Sequence, residues 1–273
     1  MKKLIAILLM LVFVVSAVAC GNNDPVAEDT TVADTTVEET TVEDTTEEET
    51  TVEEVVDDGV MSYEEFAAAD LETEVVIIGY VQGAQKYAEE YGNTSLYLQD
   101  EDGAYFVYRL ACTAEEYALF TVGTAVKVTG YKAEWSGEIE IIDAKFEIVE
   151  GNYVAEATDV TALLDTKEII NLQNQLVAFK GMTVVASTDA EGNEAAFLYK
   201  YNGSGADGDD LYFNVSLNDV TYTFTVESDL CAAGTDVYEA VKALNIGDVI
   251  DLEGFLYWYN GVNPHITAVA VAE

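Results

Sequence analysis

The chain has 273 residues, of which 52 are Asp or Glu and 11 are Lys or Arg, for a formal net charge of −41. With one histidine, three cysteines and one arginine, it lacks the basic groove that follows a phosphate backbone, the Cys/His spacing of a zinc site and the cysteine density of a disulfide scaffold. Long-range repulsion argues against nucleic acid, and against anionic lipid or anionic polymers, as direct partners.

Lys2 and Lys3 precede an apolar run from Leu4 to Ala19 that only Ser16 interrupts, and Ala17-Val18-Ala19 places small residues before Cys20. A cationic start, an apolar stretch and a small-residue site form the pattern of an export signal. The stretch falls short of the roughly 20 apolar residues needed to cross a bilayer. This segment resembles the signal and lipobox of bacterial lipoproteins, with Ala17 where Leu is more usual. The resemblance implies that residues 1–19 are a removable signal peptide and that Cys20 is lipidated. The mature protein is then expected on the extracellular face of the cell membrane, attached to it through that lipid.

Residues 20–58 read as a tether. Positions 24–58 hold fifteen Asp or Glu, no Lys or Arg and no aromatic side chain. Thr30 to Glu54 is five pentapeptides in register, Thr-Thr-Val-Ala-Asp and variants, with Glu47 replacing Val in the fourth. Carboxylate repulsion and the lack of anything to bury predict a solvated, extended spacer.

The remaining 215 positions carry an internal repeat. Val122-Gly123, Gly130-Tyr131, Trp135-Ser136-Gly137 and Ile142 match Ile246-Gly247, Gly254-Phe255, Tyr259-Asn260-Gly261 and Ile266 at an offset of 124 without a gap. Two copies of one unit are expected, over residues 59–152 and 153–273. In the first, strands are predicted at 74–81, 95–99 and 104–110, a short helix at 113–120, then strands at 126–135 and 138–149 joined by a Ser136-Gly137 turn. In the second, strands are predicted at 176–185, 211–217 and 221–226, a helix at 237–244, then strands at 249–259 and 265–271 around Asn260-Gly261. Three strands, a helix and two strands is the order of the OB-fold, a five-stranded Greek-key barrel. The predicted fold is all-β, two tandem OB-fold-like barrels with one short helix each.

Leu96 to Tyr108, Val128-Thr129-Gly130-Tyr131 and Trp135-Ser136-Gly137-Glu138-Ile139-Glu140-Ile141 resemble the OB-fold-like modules of secreted and lipid-anchored proteins of low-GC Gram-positive bacteria. Some of these modules sit beside extracellular nuclease or phosphatase domains. The resemblance implies an accessory binding module and supplies no catalytic residues. It also leaves an alternative, an accessory subunit of an extracellular nuclease or phosphoesterase.

Residues 59–152 carry eighteen acids against five bases and residues 153–273 nineteen against four, so each copy is acidic by itself. His265 lies beside Pro264 in the last strand, where a packed or solvated role is expected. Cys112 and Cys231 precede the helix of their copies and read as small apolar residues. No enzyme motif is present, so a non-catalytic module without a cofactor is expected. Calcium is the one candidate metal, at Asp207, Asp209 and Asp210 in the long insertion in preference to the turn Asp100-Glu101-Asp102, although neither cluster has the spacing of a dedicated loop. Alternation turns Tyr131 and Trp135, and Phe255, Tyr257 and Tyr259, away from the aliphatic faces of their strands. With Phe197, Tyr199 and Tyr201 they are the candidate contacts for an extracellular glycan, peptide or protein, or else they cover a seam between barrels.

Overall fold

The computed structural model describes residues 59–272. The signal peptide and tether expected over residues 1–58 lie outside the described residues. Alternation builds the first barrel. Its strands are β1 (Glu74–Ala84), β2 (Asn93–Gln99), β3 (Ala104–Ala111), β4 (Thr124–Trp135) and β5 (Glu138–Asn152). Val75 and Ile77 of β1, Leu96 and Leu98 of β2, Tyr105 and Val107 of β3, and Val126 and Val128 of β4 are buried at every second position and fill the interior. The strands pair in the order β1-β2-β3-β5-β4, and β4 returns to β1 to close the barrel. Only β3 and β5 run parallel, with Phe106 opposite Glu140.

Two short helices plug this barrel. α1 (Tyr63–Ala68) starts from a Ser62–Glu65 capping box and sets Phe66 edge-on to Tyr105, ring centres 4.9 Å apart. Its far end leaves carbonyls without helical partners. The Lys132 ammonium donates to the carbonyls of Phe66, Ala67 and Ala69 at 2.8–2.9 Å, the first of which also accepts from Ala69 N. α2 (Ala114–Tyr117) follows β3 behind a second capping box, Thr113 with Glu116.

The second barrel adds β6 (Thr158–Asp159), β7 (Leu176–Val185), β8 (Ser187–Thr188), β9 (Glu194–Ala195), β10 (Leu198–Tyr199), β11 (Leu211–Leu217), β12 (Val220–Val226), α3 (Asp236–Lys242), β13 (Val249–Phe255) and β14 (His265–Val271). Within it β7, β11, β12, β14 and β13 repeat the pairing of β1, β2, β3, β5 and β4, and β11–β7 contacts close the ring. The parallel pair recurs between β12 and β14, with Thr225 opposite His265. Its core includes Phe179, Phe213, Phe224, Tyr238 and Leu252. The molecule is thus two closed OB-fold-like barrels. Among the described residues no helix is long and apolar enough to cross a membrane.

The repeated glycines have geometric reasons. Ser136 and Gly137 both take positive φ, 53° and 91°, in the tight turn between β4 and β5. Gly130 and Gly254 sit where β4 and β13 slip register against β5 and β14. A Cβ on Gly254 would lie 2.3 Å from the His265 carbonyl oxygen, so only glycine fits the crossing.

One expectation needs correction. The fourth strand of the second copy was expected to reach Tyr259, but β13 ends at Phe255 and the chain turns at once, Tyr257 N donating to Phe255 O at 2.7 Å. Tyr257 and Tyr259 therefore do not continue the alternation of that strand.

Candidate functional site

In an OB-fold the outer face of strands 2 and 3, with the flanking loops, is the usual ligand face. In the first barrel that face carries Tyr97, Phe106 and Tyr108. The second barrel covers most of it. Phe255 stacks on Tyr97 with ring centres 4.2 Å apart and planes 5° from parallel. Tyr257 meets Phe106 edge-on at 5.6 Å and stacks on His265 at 4.3 Å. Tyr97, Phe106 and Phe255 form a small buried cluster distinct from either barrel's interior.

Polar groups fix the register of this seam. Tyr97 Oη lies 2.7 Å from His265 Nδ1. Burial pushes the imidazole down to about 3, so it is neutral and can accept the phenolic proton when its own hydrogen is on Nε2. The same burial raises the Tyr97 hydroxyl well above its ordinary value. Gln99 Oε1 accepts from Leu176 N at 2.8 Å, and Gln173 Nε2 donates to Gly137 O at 2.8 Å. The two duplicated turns touch, Asn260 N donating to Ser136 O at 2.7 Å.

Beside the seam an open cleft of about 340 Å³ remains, with Lys86, Tyr91, Tyr108, Arg109, Glu227 and Asp229 in its lining. Lys86 pairs with Asp229 across the barrels. Gln85 Nε2 donates to both oxygens of Glu227, at 2.9 and 2.8 Å. Burial lifts Glu227 to about 7, against the pull of Gln85 and Lys86, so this carboxyl is part-protonated at neutral pH. Arg109, the only arginine of the chain, holds a positive φ of 50° and places its guanidinium 4.9 Å from the Tyr108 ring centre. Rings, amides and charges of both signs line one concave surface, an arrangement suited to holding a polar ligand by stacking and hydrogen bonds.

The residues singled out from sequence scatter. Trp135 is 61% exposed and Tyr259 52%, and they flank the point where the two turns meet. Tyr131 is 43% exposed along β4, in a shallow groove with Leu71 and Ile142. Tyr201 is 76% exposed on the arm between β7 and β11, while Phe197 and Tyr199 pack edge-to-face at 5.3 Å and are half-buried. Phe255 is corrected: it is 2% exposed and belongs to the seam, and Tyr257 is half-buried against Phe106 and His265. The three aspartates do not converge either. Asp207 pairs with Lys242 at 2.9 Å, Asp209 with Lys200 at 3.4 Å, and Asp210 accepts from the backbone and hydroxyl of Ser228. Among the described residues no group of three His, Cys, Asp or Glu is placed to hold a metal ion.

Sequence reasoning missed the cleft itself. Its signal was the alternation that sets Tyr97, Phe106 and Tyr108 opposite Leu98, Tyr105 and Val107, which left three adjacent outward rings asking for a cover.

No protein-family model matches the chain, and no curated protein sequence matches it. Among solved structures it is similar to a murine DNA-binding protein bound with double-stranded DNA, at 13% identity over 72% of this chain and 96% of that one, TM-score 0.33. It is also similar to the Ifi202 HINa domain in complex with 20-bp double-stranded DNA, at 14% identity over 74% and 96%, TM-score 0.32. A third is a replication protein A heterotrimer bound to single-stranded DNA, at 13% identity over 78% and 69%, TM-score 0.26. The sequence-based expectation against nucleic acid, set beside these DNA-bound chains, does not hold as an exclusion, because net charge averages over a whole surface and does not fix the potential inside one groove.

Proposed function

We propose that this protein is a non-catalytic binding module, carried on the outer face of the cell membrane by a lipid on Cys20 and held away from it by the acidic tether. Its ligand is an extracellular glycan or peptide, held in the cleft between the barrels, with the exposed rings Trp135 and Tyr259 as further contacts. The observation that carries this reading is the cleft, where Tyr91, Tyr108, Arg109 and Glu227 converge from two barrels fixed by a polar and aromatic seam. A fixed scaffold spares a ligand the cost of ordering its own site.

The test uses the full chain on glycan, peptide and oligonucleotide arrays. Tyr108→Ala is expected to weaken glycan or peptide binding by roughly 1–3 kcal/mol, as for an aromatic anchor at an interface, with both barrels still folded. Retention of oligonucleotides alone would favour the alternative, an accessory subunit of an extracellular nuclease or phosphoesterase. Hydrolysis of a retained ligand by the purified chain would overturn the non-catalytic reading.

Anchoring is tested separately. Changing Cys20 to Ser is expected to release the protein from the membrane fraction or to leave it unprocessed, read by fractionation and by the size of the mature chain. Unaltered fractionation with unaltered processing would remove Cys20 from the account.

A further inference from the structure

Charges in the cleft between the barrels pair off unevenly. Lys86 is tied to Asp229, and Arg109 of β3 acts on Glu140 of the neighbouring β5. Glu227 has no such cation of its own. Its two oxygens share the neutral amide of Gln85, and His265 Nδ1, 3.8 Å from Oε2, belongs to an uncharged ring already taken by the Tyr97 hydroxyl. Tyr257 stands in the same place. Its ring stacks on His265 and meets Phe106, whose partner in register is Glu140, and the next residue, Trp258, gives its N–H to Glu138. Three carboxyls from two barrels therefore lie about one half-buried phenol on the cleft wall.

Resting on the reading of this cleft as the ligand site, we propose that it takes an amino sugar with an unacetylated amine, the ammonium entering between Glu227 and Tyr257 and the sugar ring lying against Tyr91 and Tyr108. An ammonium there meets a carboxylate in a partly desolvated setting and the face of an aromatic ring, both of which favour a cation. The chain as a whole, with 52 acids against 11 bases, draws cations toward its surface. The rest of the lining selects the sugar. Asn93 and the phenols of Tyr91 and Tyr108 stand ready for ring hydroxyls, whereas a lysine side chain brings only methylenes beside its charge.

The pH dependence follows from the groups that face Glu227. Burial lifts it to about 7; Gln85 and, more weakly, Lys86 pull it down, while Asp210 and Asp229 push it up. Tyr97, Tyr212, Cys231 and Tyr257, packed around it from both barrels, are all raised and so uncharged at neutral pH. A bound ammonium favours the carboxylate and moves Glu227 down. Below about 7 the proton competes with the ammonium for this carboxyl, so binding weakens as pH falls, by up to about tenfold per pH unit.

The test uses the full chain, with a glucosamine pentamer and its fully N-acetylated counterpart as probes in titration calorimetry. At pH 7 the amine form is expected to bind at least about tenfold more tightly, and its affinity to fall at least about tenfold on going to pH 5. With 13C-labelled glutamate, the Glu227 carboxyl resonance should titrate near pH 7 in the free chain and at lower pH when the glucosamine pentamer is bound. Glu227→Gln can still accept from Gln85, and should lose both the preference for the amine and the pH dependence. Equal binding of the two pentamers, still weakened by Tyr108→Ala, would overturn the ammonium site and leave the glycan reading of the cleft standing. Binding of neither pentamer, or of a lysine peptide in place of both, would overturn the amino sugar. Should Glu227→Gln not fold, the wild-type Glu227 titration with and without the glucosamine pentamer decides, an unmoved resonance counting against the proposal.

Discussion

Tyr97→Ala is expected to lower stability by about 3–5 kcal/mol, the range for truncating a large buried aromatic ring, and to split unfolding into two transitions. Tyr97 is not part of either barrel's interior. Its ring is buried between Phe106 of its own barrel and Phe255 of the other. Truncation leaves a void in the seam and strips His265 Nδ1 of its hydroxyl partner. The interiors around Ile77 and Leu98 on one side and Phe213 and Leu252 on the other are untouched, so each barrel keeps a core of its own. Denaturant titration can follow both, because Trp135 reports the first barrel and Trp258 the second. Tyr97→Phe keeps the stack and loses only the hydroxyl contact, so it should cost about 1 kcal/mol and stay cooperative. A single, barely shifted transition in Tyr97→Ala would show that the seam does not couple the barrels.

Gly254→Ala is expected to cost roughly 3 kcal/mol, at or above the upper end of what overpacking usually does. The added carbon would meet the His265 carbonyl oxygen at 2.3 Å and Ile266 Cα at 2.7 Å, both backbone atoms that cannot swing aside. Relief requires β13 and β14 to separate at the register slip that carries the chain into the seam. Its duplicate, Gly130→Ala, meets the Ile141 side chain at 2.6 Å and the Ile142 carbonyl oxygen at 2.8 Å, and should cost roughly 1–3 kcal/mol because one of these neighbours can rotate. Chemical denaturation of the two variants checks the order. Equal and small effects would show that the strand crossing adapts freely.

The barrels were legible because their causes are local. Alternation over β1 to β5, the turn residues at 136–137 and 260–261, and the gapless offset of 124 fix strand order without long-range information. Phe255 was misplaced for a different reason. Periodicity tells which way a residue points but not where a strand stops, and β13 stops one residue after Gly254 because the chain must turn to reach Trp258 and Glu138. α1 passed unnoticed since its six residues bury only Phe66 as an apolar anchor, too few for a helical period. The cleft was invisible because Lys86 and Arg109 of one barrel meet Glu227 and Asp229 of the other only after the barrels dock. The aspartates at 207–210 were a candidate for calcium, but Lys200 from the same arm and Lys242 from α3 pair with two of them.

The docking is head-to-tail: the strand 2–3 face of the first barrel receives the region joining the last two strands of the second. Contacts of that kind, unlike self-complementary ones, can repeat without closing and so run on into filaments. The second barrel's corresponding face does not invite a repeat. Register places Tyr212 and Thr225 where the first barrel has Tyr97 and Phe106, and Asn214 and Thr223 where it has Gln99 and Ala104. Thr225 bonds to Asn263 at 3.0 Å and Thr223 to Asn214 at 2.8 Å, so around the ring of Tyr212 this face is hydroxyl and amide instead of a cluster of rings. One aromatic seat, filled from within the same chain, makes an interlocking pair that is self-limiting at two.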